Sequence, residues 1–147
     1  MTEQERARVA GRPVILYDGV CALCNGVVQF CLRHDSAGLF RFAPLQSGFA
    51  RELAGEGDGV EGVVLVTDAL EPVQRVYRRS EAVAEAMQLI GGGWKIAGRA
   101  LRFVPRWLRE AGYGVVARVR YKVFGRYEVC PMPEAGVRER FLGLSDD

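Results

Sequence analysis

Val14-Ile15-Leu16-Tyr17-Asp18-Gly19-Val20-Cys21-Ala22-Leu23-Cys24-Asn25-Gly26-Val27-Val28-Gln29-Phe30 opens with four apolar residues and turns at Asp18-Gly19. Two cysteines then stand at the head of a helical pattern. Leu23, Val27, Phe30 and Cys31 recur at i, i+4, i+7 and i+8, and Val28 and Leu32 widen that face, so a largely buried helix is expected from Cys21 to about Arg33. Strand, tight turn and helix place both thiols in the helix's first turn. That is the usual position for redox thiols, because the unpaired N–H groups there favour a thiolate.

Moving outward, Leu39-Phe40-Arg41-Phe42-Ala43 alternates with a period of two and stops at Pro44, which completes a βαβ unit with a right-handed crossover. A short helix is expected at Phe49–Leu53, then a Gly-rich stretch at Gly55–Gly59. Val63–Thr67 reads as a central strand and Val73–Tyr77 as its antiparallel hairpin partner. Ser80 is placed to cap a helix running to Ile90 and ending at Gly91-Gly92-Gly93. The order βαβ(α)ββα is that of an α/β, thioredoxin-like core. The expected division is a loose polar lead-in at 1–12, the core at 13–91, and a helical basic extension at 92–147 packed on it.

In that extension Lys95, Arg99, Arg102, Arg106 and Arg109 fall on one helical stripe. Trp94, Ala97, Leu101, Val104 and Leu108, widened by Ile96, Phe103 and Trp107, form the opposite side, and the two tryptophans are expected in the core. Pro105 should break the helix and Gly112-Tyr113-Gly114 should interrupt it again before a third piece at Val115–Phe124. Residues 91–127 carry nine basic residues and one acidic one, whereas the rest of the chain is net acidic. The stripe reads as a solvated face, or as a dock for an acidic protein or an anionic membrane surface. The tail to Asp147 is expected to be partly helical.

The 147 residues suffice for one domain with a sizeable core, and a formal charge of +2 gives no reason to expect a nucleic-acid partner. No apolar run reaches the roughly 18–20 residues that span a bilayer. The polar start lacks the apolar segment of a signal peptide, so a cytoplasmic protein is expected. In a reducing compartment a cysteine pair is catalytic or metal-binding more often than structural. Arginine far outnumbers lysine, as in GC-rich bacterial proteins.

Cys21, outermost and expected to be exposed, is the candidate nucleophile. It would form a mixed disulfide that Cys24, one turn further in, resolves. Asp18 reads either as a cap for the helix start or as a proton shuttle for Cys24. A zinc site is poorly supplied: along a straight helix Cys31 lies about 10.5 Å and His34 about 15 Å from Cys24, at 1.5 Å per residue. Cys31 is therefore read as a core residue, and His34 as a helix C-terminal residue suited to the dipole. Cys130 is the one thiol that could reach the pair from elsewhere. The rival functional reading is a non-catalytic binding module that docks through the basic helices. No cofactor is expected.

The segment from Val14 to Ser47 resembles the DCC family of thiol–disulfide oxidoreductases, named for a D-x-x-C-x-x-C motif that here is Asp18, Cys21 and Cys24. Tyr17-Asp18-Gly19, Asp35, Pro44-Leu45-Gln46-Ser47, Val76–Ser80, Arg120-Tyr121 and Phe124-Gly125-Arg126 are also similar to family members. The resemblance implies a thioredoxin-like fold with the two cysteines as the redox pair. It also implies a disulfide or thiol substrate, protein or small molecule, and an unidentified electron donor or acceptor. Two departures from thioredoxin itself stand out. Ala22-Leu23 replaces its Gly-Pro between the cysteines, and Gly59-Val60-Glu61-Gly62 has no proline where thioredoxins place a cis-proline.

Overall fold

Strand β1 (Val14–Tyr17) is the centre of the sheet because its four side chains are buried on both faces. Ile15 and Tyr17 point to one side, Val14 and Leu16 to the other, the period-two alternation of a strand. A computed structural model describes residues 2–35, 38–55, 63–125 and 140–142. In it β1 runs parallel to β2 (Arg41–Pro44) and antiparallel to β3 (Val63–Thr67). The hairpin partner β4 (Arg75–Arg78) pairs with β3 in the register Leu65–Tyr77, so the sheet order is β2-β1-β3-β4. Six helices accompany these four strands among the described residues, consistent with a thioredoxin-like core plus helices.

Two apolar clusters sandwich the sheet. On one face Ile15, Tyr17, Phe42 and Leu65 pack with Cys24, Val28 and Cys31 of α2 (Ala22–His34) and Ala82 and Ala86 of α4 (Ser80–Ile90). On the other, Val14, Leu16, Val64 and Val66 pack with Val9 of α1 (Glu3–Val9) and Phe49, Ala50 and Leu53 of α3 (Gly48–Ala54). Each fully buried large side chain contributes roughly 1.5–3 kcal/mol. Cys31 is part of this packing, as its place on the face of Cys24 requires.

Several local expectations are corrected. The N-terminal lead-in is not loose: Thr2 and Glu5 form a reciprocal capping box that starts α1, and Val9 is buried. Ser80 is not a cap but the first helical residue of α4. Arg79 precedes it with a left-handed φ of 59°, and Ser80 Oγ donates instead to Glu110 and accepts from Arg109 Nε at 3.0 Å. Pro105 separates α5 (Gly93–Phe103) from α6 (Arg106–Val123) as expected. Gly112 and Gly114, however, do not interrupt α6. Glycine costs about 1 kcal/mol in a helix, and here contacts across the fold offset it: Tyr113 Oη accepts from Val63 N at 3.2 Å, and the Arg79 guanidinium lies over the Tyr113 ring. In the tail, where 140–142 are the described residues, Leu142 N donates to Phe42 O at 2.7 Å and Phe141 forms a parallel bridge to Phe42 at the β2 edge; the remainder of the tail, where part of a helix is expected, lies outside the described residues.

Helix α5 lies on α4 through Gly98, where a Cβ would meet the Ala84 carbonyl oxygen at 2.7 Å. Much of the basic stripe turns toward the acidic residues of α4, with Arg102 paired to Glu85 and Arg106 within 3.7 Å of Glu81. Part of the stripe thus meets acidic residues of this chain rather than solvent. The tryptophans are not core residues: Trp107 is 73% exposed, and Trp94 is exposed on one side while its other side meets Phe30 and His34.

Candidate active site

β1 ends at Tyr17, and the next four residues form a turn fastened from several directions. Cys21 N donates to Asp18 O at 3.2 Å, Gly19 N to Gln46 Oε1 at 3.1 Å, and Asn25 Nδ2 to the Gly19 and Cys21 carbonyls at 2.9 and 3.0 Å. Cys21 is not in the first turn but is the N-cap of α2, with extended backbone. Its Sγ accepts from Cys24 N at 3.2 Å, the bond a serine or aspartate makes at such a position. The two cysteines are therefore N-cap and N3 of one helix, joined through an amide hydrogen aimed at sulfur.

Asp18 does not cap α2; that position belongs to Cys21. Its Oδ1 accepts from Val20 N at 3.2 Å and from Gln46 Nε2 at 2.7 Å. Its Oδ2 accepts from Arg120 Nη2 at 3.1 Å and from the Tyr121 hydroxyl. Asp18 and Arg120 are both almost fully buried, a paired charge inside the protein. Burial alone would raise the Asp18 pKa, but the bonds from Tyr121, Gln46, Arg120 and Val20 outweigh it and hold the carboxyl below its ordinary range. Cys24 moves the other way. Burial pushes its thiol well above the ordinary value, and the neighbouring Cys21 and the Asp18 charge add to this while Arg120 opposes it. Burial, then the charge of Asp35, raises the Cys31 thiol to about 11.

Cys21 was expected to be exposed and is not: it is fully buried. The chain just after α6 covers the helix start, where Ala22 N donates to Gly125 O at 3.2 Å. Beside the pair, Ala22, Leu23 and Val27 of α2 line an apolar cleft of about 540 Å³ with Met87, Ile90 and Phe124. Among the described residues no three His, Cys, Asp or Glu side chains are grouped to hold a metal ion. Cys130, and the Gly59–Gly62 segment at the cis-proline position of thioredoxins, lie outside the described residues.

The DCC1-like thiol-disulfide oxidoreductase family model matches residues 15–126, from the first core strand to just past α6. The chain belongs to that family. It is 35% identical over 134 residues to the uncharacterized protein YuxK of Bacillus subtilis (strain 168), covering 88% of this chain and 93% of the other. It is 38% identical over 125 residues to a chloroplastic DCC family protein of Arabidopsis thaliana, covering 82% and 70% respectively. No solved structure matches.

In this DCC family member the D-x-x-C-x-x-C residues come together at one strand end, as their spacing requires. The residues that complete the site come from far along the chain and had no assigned role in the sequence. Gln46 follows β2, and Arg120 and Tyr121 lie on α6. Arg120 did leave a signal. With Tyr113, Ala117 and Tyr121 it occupies the i, i+3, i+4 face of α6 that packs inward, so an arginine there calls for a buried anion.

Proposed function

We propose that the protein is a thiol–disulfide oxidoreductase working through Cys21 and Cys24. The observation that carries this reading is the bond from Cys24 N to Cys21 Sγ, which points an amide hydrogen at the sulfur where negative charge develops during exchange. The Cys21 thiolate attacks one sulfur of a substrate disulfide, forms a mixed disulfide, and expels the other sulfur as a thiolate. Cys24 then gives up its proton and attacks Cys21 Sγ. The second substrate thiol departs and a Cys21–Cys24 disulfide remains. Two electrons have passed to the substrate, and an external thiol or dithiol returns them.

A carboxyl held below its ordinary range is a poor acceptor for a proton on a thiol held above its own. Asp18 is therefore assigned a positioning role. It anchors the turn through Val20 and Gln46, anchors α6 through Arg120 and Tyr121, and its charge adds to the burial that keeps resting Cys24 a thiol while Cys21 attacks. Because Cys21 is buried, attack requires the start of α2 to become accessible to the substrate. The reducing cytoplasm of a bacterium is the setting in which such a pair would cycle.

The test is equilibration of the protein in glutathione redox buffers, with the Cys21–Cys24 state read by mass spectrometry after alkylation. A two-electron transition that disappears in Cys24→Ser is expected. A value near −270 mV would mark a reductase like thioredoxin, and one near −120 mV an oxidant. Cysteines that never pair at any poise would sink the proposal.

A further inference from the structure

The outward faces of α5 and α6 are apolar, the reverse of an ordinary surface helix. On α5, Gly98 marks the side against α4. At about 100° per residue Ile96 and Phe103 lie on the opposite side, where they are 72% and 88% exposed. Trp107 follows just beyond Pro105 at 73%, and on α6 Leu108, Val115 and Val123 are exposed while Ala117 and Arg120 are buried. Lys95 and Arg99 flank the α5 face, Arg118 and Lys122 stand beside the exposed valines of α6, and all four are exposed. The single acidic residue of the two helices, Glu110, is bonded to Arg79 and Ser80.

We infer that α5, the Pro105 corner and α6 form a surface that seats on an anionic lipid bilayer, with Ile96, Phe103 and Trp107 in the acyl–headgroup boundary and Lys95 and Arg99 on lipid phosphates. Apolar side chains flanked by cations, without free carboxylates, are what a helix lying flat in that boundary requires. The seat is peripheral, since no helix among the described residues is long and apolar enough to cross a membrane. Charge argues against a second copy, because self-pairing would bring two cationic patches together. Shape argues against a protein groove partner: Phe103 and Trp107 protrude at a corner, which enters a headgroup layer but needs a matching pocket on a protein.

Both tryptophans of the chain, Trp94 and Trp107, lie in this element, so intrinsic fluorescence reports directly on it. The full-length protein is mixed with vesicles of phosphatidylcholine, with and without phosphatidylglycerol, and followed by flotation and emission wavelength. Flotation and a blue shift are expected only with phosphatidylglycerol, weakening as salt is raised. Phe103→Ser, and separately Lys95→Glu with Arg99→Glu, should each weaken binding about tenfold or more. Circular dichroism and the redox transition of the cysteine pair should be unchanged, which shows that the variants fold. The inference is overturned if the protein ignores phosphatidylglycerol vesicles or if Phe103→Ser binds them as well as the parent. It is equally overturned if the face instead supports a concentration-dependent dimer, or an acidic-protein complex, that Phe103→Ser abolishes without any lipid binding.

Discussion

Asp18 and Arg120 form a buried ion pair whose worth depends on both members staying. Removing one partner strands the other charge away from water, at a cost of about 3–5 kcal/mol. Asp18→Asn should therefore lower the unfolding free energy measured in urea by that order. The same substitution tests the positioning role. With the Asp18 charge gone and Arg120 unopposed, Cys24 should ionise at lower pH, and the pH midpoint of its alkylation should fall. The rate of resolution separates the roles: with a positioning Asp18 it should hold or rise at neutral pH in Asp18→Asn, whereas loss of a proton acceptor would slow it. Tyr121→Phe, which keeps both charges, should leave the midpoint closer to the parent's. The Asp18 carboxyl also sets an acid limit. Its folded pKa is depressed, so its stabilisation is present above about pH 4, the unfolded value, and is lost as pH falls through the folded one.

At the scale of elements, the α4–α5 contact is the tightest point of the C-terminal helices. Gly98 has no room for a methyl group, since the nearest atom is a backbone oxygen that cannot rotate away. Gly98→Ala should push α5 off α4 and destabilise the protein by about 1–3 kcal/mol despite alanine's better helix propensity. Urea denaturation followed by tryptophan fluorescence would show it, and a stability gain would mean that the two helices are not held this closely. The Pro105 break was legible in the sequence because proline acts on its own backbone. The continuity of α6 across Gly112 and Gly114 was not, because Val63 and Arg79, remote in sequence, hold that turn.

For the whole molecule, burial raises several acids together. The Cys24 thiol lies above its ordinary value, the Cys31 thiol at about 11, and the Tyr113 phenol at about 12. In the unfolded chain thiols ionise near pH 8.5 and phenols near 10. Groups whose folded pKa is raised stabilise fully below the unfolded value and lose that contribution as pH rises through the folded one. The urea midpoint should hold up to about pH 8 and fall through pH 9–11. Cys31→Ala should flatten the fall while lowering the midpoint at neutral pH through the small cavity it leaves. Equal midpoints at pH 8 and pH 10.5 would contradict this burial pattern.

The sequence by itself determined what is local and periodic. The apolar alternation of β1, the helical spacing after Cys21, the D-x-x-C-x-x-C motif and the βαβ(α)ββα order carried the fold class and the two cysteines. These readings rest on side chains a few residues apart, whose geometry the backbone dictates. Tertiary structure alone decided what depends on distant residues meeting. It brought Gln46, Arg120 and Tyr121 onto Asp18, buried Cys21, tied Ala22 N to Gly125 O, and turned Arg102 and Arg106 toward Glu85 and Glu81. It also left Phe103 and Trp107 facing outward, because a helix with apolar residues on several sides can bury only the side its packing partner covers, and Gly98 set that side.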